Sequence, residues 1–363
     1  MTTYYVDTTA GAGGSGGSWA TAWNNLQDAI DGTNGTAPVA GDVVLCYSNG
    51  NTSPDTGTYC TFDVNGGDAT SGYIKYVGCS TNSGDGSPDG TKYVLDGNGT
   101  LSPIAALWSD RIWIENFRFT NAAGDGVNSG GGSTPDQWVW INCEFDNNGD
   151  DGFSDSTSTQ DYTIFIGCRF HDNTGDGLDC PNDAKVINCA AYSNGAYGIF
   201  SGGARLRLIR SAVFDNGDGY PNVYLSTDPF VDSCVFDGTN QSSEDGIYVG
   251  VAGAFVLASR VTNCAEGINS VSKLGVVGWS LFHGNSDDTS NDSLLYHLPF
   301  ESDLDDGTRK DTFSQGNPAG STNKFAPDTD DGYSDTSSQD YNLRNARVYN
   351  GNADDKQGMN VGS

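Results

Sequence analysis

The chain has 363 residues, with 47 acidic against 17 basic side chains, a formal charge of −30 at pH 7, 50 glycines and 11% aromatic residues. That length can bury a large core, and the aromatic content separates the chain from disordered, charge-rich sequences. The charge excludes nucleic acid and an anionic membrane surface as partners, because a polyanion would be repelled, and no apolar run is long enough to span a bilayer as a helix.

In chain order, Tyr4–Tyr5–Val6–Asp7 reads as a first strand and residues 11–17 as a glycine-rich turn. Ser18 is placed to N-cap a helix reaching Ile30, with Trp19, Ala22, Trp23, Leu26 and Ile30 on one face. Residues 1–45 thus form an N-terminal strand and capping helix, which would seal the end of a solenoid core. Residues 46–110 read as irregular early coils, with strands near 73–77 and 92–95 between polar loops. Residues 111–283 are regular, and 284–363 form a loop-rich closing segment. The first residues lack the basic-then-apolar pattern of a secretory signal. A virion or extracellular surface reached without one is the expected location.

The regular part repeats one signature: an aromatic, a polar step through Asn, then Gly, an acid, Gly and a hydrophobe. It stands as Phe119–Asn121–Gly124–Asp125–Gly126–Val127, as Phe145–Asn147–Gly149–Asp150–Asp151–Gly152–Phe153, and as Phe170–Asn173–Gly175–Asp176–Gly177–Leu178. Looser copies begin at Tyr192, Phe214 and Phe236 and end at Glu266–Gly267–Ile268. The second glycines fall at 126, 152, 177, 198, 219, 246 and 267, steps of 21 to 27 residues. Short β-branched and aromatic runs precede each copy, and no helix of ten residues fits between copies. The period is too short for a four-stranded blade and fits one coil of a parallel solenoid, with corners at the Gly-Asp-Gly steps. The fold expected is all-β: a single right-handed parallel β-helix with a short N-terminal capping helix.

Phrases such as Asn173–Thr174–Gly175–Asp176–Gly177–Leu178 and Ile187–Asn188–Cys189 resemble the coils of right-handed β-helix proteins of the pectin-lyase-like superfamily. That resemblance implies the fold. It leaves open polysaccharide lyase, glycosidase, phage tailspike and non-catalytic roles. The polygalacturonase pattern is not reproduced: Asp150–Asp151 is a lone pair, there is no Gly-His-Gly, and Arg205–Leu206–Arg207 only echoes Arg-Ile-Lys.

Corner acids stack at Asp125, Asp150 or Asp151, Asp176, then Asp218, Asp245 and Glu266. Side-chain parity points Asn128, Ser154, Asp179, Phe200, Pro221, Tyr248 and Asn269 outward. Three uses compete for these acids. Asp151, Asp176 and Asp179 could act as glycosidase carboxylates, with His171 as an available base. Asp150 and Asp176 offer hard oxygen ligands to Ca2+. Corner Asp and Asn side chains can also simply bond backbone N–H groups. The nine cysteines read as buried free thiols, with Cys143, Cys168, Cys189, Cys234 and Cys264 at one repeat position. The leading expectation is a virion or cell-surface structural protein of the tailspike, fibre or capsid-decoration kind. Its partners would be carbohydrate or other virion proteins, with a homotrimer as the assembly considered. The alternative is a polysaccharide-degrading lyase or hydrolase.

Overall fold

A computed structural model describes residues 1–49, 55–56, 59–83, 91–129, 137–155, 162–238, 245–250, 254–270, 276–278, 280–283, 285, 287–290 and 296–297. Most of the closing segment and the loops at 50–54, 84–90, 130–136, 156–161 and 239–244 lie outside the described residues. The chain divides into two compact units, Met1–Gly203 and Ala204–Ser363.

Unit 1 consists of three sheets, each gaining one parallel strand per coil. The first sheet runs through Val43–Tyr47, Ile74–Gly78, Ile112–Glu115, Val139–Ile141, Ile164–Ile166 and Lys185–Ile187, with Thr3–Asp7 at its start. The second includes Tyr93–Asp96, Phe117–Thr120, Glu144–Asp146, Arg169–His171 and Ala190–Tyr192. The third includes Ala105–Leu107, Val127–Asn128, Phe153–Ser154, Leu178–Asp179 and Ile199–Ala204. Unit 2 repeats the plan on Arg207–Ile209, Ala212–Phe214 and Val223–Thr227 and their partners, all parallel. The expected all-β, right-handed parallel β-helix is therefore the fold.

The N-terminal helix is shorter than expected. Ser18 sits in extended backbone and makes no side-chain cap, and only Trp19–Thr21 forms a 3-10 turn. Trp23 is drawn out of helical register: its N–H donates to the Tyr5 carbonyl and its own carbonyl accepts from Asp7. The helix begins afterwards, at Leu26–Asp31, with Asn25 accepting from the Asp28 N–H at 2.8 Å. Pairing with the first strand outweighs local helix preference here.

Three inward columns fill the core of unit 1. Phe119, Phe145 and Phe170 stack nearly parallel at 5.3 and 4.9 Å, fully buried. The register replaces the next ring with Ala191, not Tyr192, which stands outward beside His171. Likewise Val213, not Phe214, points inward beside Phe236. In those two copies the signature's aromatic is one residue off, and one residue in a strand means the opposite face.

The corners are of two kinds. The left-handed bends between the first and second sheets fall on Asn116, Asn142, Gly167 and Asn188, with φ of 58°, 51°, 65° and 53°. Asparagine tolerates that conformation. In unit 1 the Gly-Asp-Gly glycines have no left-handed φ and are required by close approach, whereas Gly219 in unit 2 takes φ 93° with nothing near it. A Cβ on Gly152 would stand 2.6 Å from the Gly177 carbonyl oxygen and 2.8 Å from Asn173 Nδ2. That amide belongs to a buried ladder in which Asn148 Nδ2 donates to Asn173 Oδ1 and Asn173 Nδ2 to Asn194 Oδ1, each at 2.9 Å. Each Asn also donates to the carbonyl of the preceding aromatic coil: Asn148 to Phe119, Asn173 to Phe145 and Asn194 to Phe170. The ladder gives these buried carbonyls side-chain partners.

All nine cysteines are buried and unbridged. The Cys168 N–H donates to Cys189 Sγ at 3.4 Å, and burial pushes the Cys168 thiol well up. In unit 2 the same column alternates serine and cysteine: Ser211 N–H donates to Cys234 Sγ, and Cys234 N–H to Ser259 Oγ. Cys264 is not on this column. Its N–H donates to Asn285 Oδ1, so it occupies the position of the asparagine ladder.

Candidate functional site

After the second-sheet strands Phe117–Thr120, Glu144–Asp146 and Arg169–His171 the chain turns through the Asn position and the Gly-Asp-Gly step into a two-residue strand of the third sheet. Backbone bonds fix the rungs: Gly126 N–H donates to Asp151 O, Gly152 N–H to Asp176 O, and Gly177 N–H to Tyr197 O, each at 2.9 Å. Asp125, Asp151, Asp176 and Tyr197 are therefore one column. Each acid uses one oxygen to accept the N–H of the next rung: Asp151 N–H to Asp125 Oδ1 (3.4 Å), Asp176 N–H to Asp151 Oδ1 (2.7 Å), Tyr197 N–H to Asp176 Oδ1 (2.9 Å). Corner bonding of this kind is real, and it leaves the second oxygens to other uses.

The outward column of the third sheet runs Asn128, Ser154, Asp179 and Phe200. Asp179 is half-buried, and no hydrogen bond holds its carboxyl among the described residues. Burial, then the charges of Asp151, Asp155, Asp176 and Asp125, push it up to about 8. Burial and the charges of Asp176, Asp125 and Asp150 raise Asp151 to about 7, against the N–H of Asp176, which favours its charged form. Asp176 is raised to about 6 by burial and the Asp150 charge, against the Tyr197 N–H. Burial also raises Asp125, whose Oδ2 accepts from Asn128 Nδ2 at 2.7 Å. No basic side chain figures among the causes of these shifts. The result is a row of carboxyls that hold protons close to neutrality, the kind of perturbation found at working sites.

Two features flank the row. Tyr197 and Phe200, both half-buried, stand at its end with ring centroids 5.2 Å apart. At the corner, Asp125, Asp150 and Asp151 each bring an oxygen within 4.8 Å of the other two. Gly175 makes room there, since a Cβ would sit 2.4 Å from Asp151 Oδ1 and 2.6 Å from Asp150 Oδ1. An all-oxygen group of this kind suits a hard cation such as Ca2+. Of the sequence-derived metal pair, Asp150 belongs to this group and Asp176 lies one rung on.

His171 is not on this face. It lies on the second sheet, its Nε2 3.0 Å from Glu144 Oε1 and its Nδ1 2.7 Å from Asp172 Oδ2, with its ring flat on Tyr192 at 4.7 Å. Only as the imidazolium can it donate to both carboxylates, and in that form it has no lone pair to serve as a base. Glu144, Asp146 and His171 also lie within ligand distance of one another. Lys92 pairs with Glu144, however, and Arg118 grips Asp146, its Nε at 2.7 Å from Oδ1, so the chain's own cations already hold these acids.

In unit 2 the acid row is reduced. Asp245 is raised to about 6 by burial, with Asn269 donating to its Oδ2 at 2.9 Å. Asp218 is exposed and off the column, because the third-sheet strand starts at Val223, beside Ile247. Tyr224, not Pro221, stands outward and stacks on Tyr248 at 5.2 Å. The tyrosine column was missed because residues 217–222 displace the strand from the Gly-Asp-Gly spacing.

Residues 104–278 match the family described as a right-handed β-helix region. No curated protein matches the chain in sequence. Among solved structures, it is similar to the pectate lyase Pel9A, at 16% identity and TM-score 0.59, over 80% of this chain and 78% of that one. It is also similar to XylC in complex with xylose, at 10% identity and TM-score 0.52, over 82% and 72% of the two chains. A likeness to the enzymatically active domain of tailspike protein 2 of bacteriophage CBA120 covers 83% of this chain and 47% of that one, at 11% identity and TM-score 0.49. Identities this low speak for fold alone. With its three parallel sheets and the match over its regular coils, the chain is a right-handed parallel β-helix of the pectin-lyase-like fold.

Proposed function

We propose that the chain is a carbohydrate-recognising β-helix of a virion or other extracellular surface, and that its glycan contact is the third-sheet face of unit 1. The observation that supports this most is the joining of a carboxyl row raised by burial, Asp151, Asp176 and Asp179, to the half-exposed rings of Tyr197 and Phe200. Sugar rings offer hydroxyls to carboxyl groups and C–H faces to aromatic rings, and the two sets lie here on neighbouring coils. The formal charge of −30 favours a neutral or cationic glycan over a uronate. Affinity electrophoresis against a glycan panel tests the reading. A glycan that retards the wild type should lose most of its effect on Phe200→Ala and on Asp179→Ala, and unchanged retardation of both variants would reject it.

A second reading is glycoside hydrolysis, supported by the contrast along the row. A carboxyl at about 8 can donate a proton at pH 7, while Asp176 at about 6 is mostly ionised. Asp151, raised to about 7 and one rung before Asp176, stands about 4.8 Å from it in such a solenoid, near the retaining separation of roughly 5–5.5 Å. Reducing ends released by the wild type and not by Asp179→Asn would favour it. Calcium at Asp125, Asp150 and Asp151 would act by neutralising charge. It should raise the melting temperature over that in chelator, by roughly 2.7 kcal/mol of stability at a hundredfold excess over its dissociation constant. Equal melting with and without calcium would dismiss the metal.

A further inference from the structure

We propose that His171 is a proton-operated clasp: its imidazolium fastens successive second-sheet coils of unit 1 together, and the ring releases them when it loses its proton. The geometry is that of a lace. Lys92, just before Tyr93–Asp96, bonds Glu144 two coils on. Arg118 on Phe117–Thr120 bonds Asp146, which is fully buried and also accepts from Thr120 Oγ1 at 3.2 Å. His171 reaches back to Glu144 with one nitrogen and holds Asp172 with the other, and Tyr192 on the following coil covers its ring. Five consecutive strands are joined in this way, and the coil fastened by His171 is the one whose corner supplies Asp176 and Asp179.

Only the charged ring can satisfy both carboxylates. A neutral imidazole donates from one nitrogen and presents a lone pair from the other, so one of Glu144 and Asp172 would face that lone pair across a hydrogen-bond distance. Among the described residues, the charged groups near the ring include Asp146, Lys92 and Arg118 held on Glu144 and Asp146, Arg169 on its own strand and Asp96 beyond Arg118. Burial opposes the charge on His171, but the Glu144 and Asp172 bonds outweigh it and raise the ring above its ordinary value. The same bond, with Lys92, draws Glu144 down to about 2 against burial. A raised histidine contributes stability fully below about 6.5, lost as pH climbs through its folded value. A depressed glutamate contributes above about 4.5, lost as pH falls toward about 2. The clasp is therefore complete from about pH 4.5 to 6.5.

Thermal unfolding of the full chain and of His171→Gln, at pH 5.5 and 8.5, tests it. The substitution should lower the melting temperature by roughly 2–4 °C at pH 5.5 and change it little at pH 8.5. A packing role alone would give equal losses at both pH values and overturn the proposal. Should the variant fail to fold, the double variant His283→Gln, His297→Gln leaves His171 as the sole histidine, and its ring protons can be titrated by NMR. The clasp requires a midpoint above 6.5 that falls when Glu144→Gln is added. A midpoint at or below 6.5, or one indifferent to Glu144, overturns it.

Discussion

Asp179→Asn is expected to leave the melting temperature unchanged near pH 4 and to raise it at pH 9. Asp179 titrates at about 8 in the folded chain, against 3.8 as its ordinary value, because burial and four neighbouring acids oppose its charge. Its contribution to stability is thus complete below about pH 3.8 and is lost as pH rises through about 8. Asparagine keeps the shape of the protonated carboxyl without the charge. A tenfold change in proton affinity between the folded and unfolded chain corresponds to ~1.4 kcal/mol. Part of the effect is shared with Asp151 and Asp176, whose own charge is relieved when Asp179 is removed. The gain at pH 9 should therefore be on the order of 2–4 kcal/mol. Melts followed by circular dichroism at the two pH values measure it directly. A substitution that is neutral at both would mean that Asp179 is hydrated and ordinary.

Phe145→Ala should cost about 3–5 kcal/mol, while Phe214→Ala should cost about 1 kcal/mol. Both residues begin a copy of the same sequence signature. Phe145 is fully buried between Phe119 and Phe170 and also meets Trp140 and Phe153 at 5.6 and 6.1 Å. Removing it opens a cavity across three coils. Phe214 faces outward beside Asp237, and Val213 takes the inward place. Chemical denaturation of the two variants separates these positions, and equal losses would refute the register.

The coil was legible because its determinants are repeated. The β-branched and aromatic runs and the spacing of Asp125, Asp151 and Asp176 mark strands and corners at every turn, and the structure stacks those three acids on one column. Parity alone also placed Asp179 outward. What failed was single-residue register. Asn147 and Asn148 are adjacent and chemically identical, yet only Asn148 enters the buried ladder, while Asn147 takes the left-handed bend at φ 54°. Tyr192 follows Ala191, and hydrophobicity would send the ring inward. The stack on His171 and the close inward column favour the smaller residue inside. The clasp could not be read from the chain either, since Lys92, Glu144 and His171 are far apart in sequence and meet only through coil stacking. The glycines showed where the corners are but not why: their role is to admit the amide and carbonyl of the next coil, a tertiary demand.

The most direct measurement is a carbon-13 titration of the aspartate carboxyls, with and without an oligosaccharide that the protein retains. Asp151, Asp176 and Asp179 should titrate late, between about pH 6 and 8, and their signals should move when the glycan is added at fixed pH. Midpoints near the ordinary 3.8 for all three, with no response to a glycan that does bind, would contradict the account.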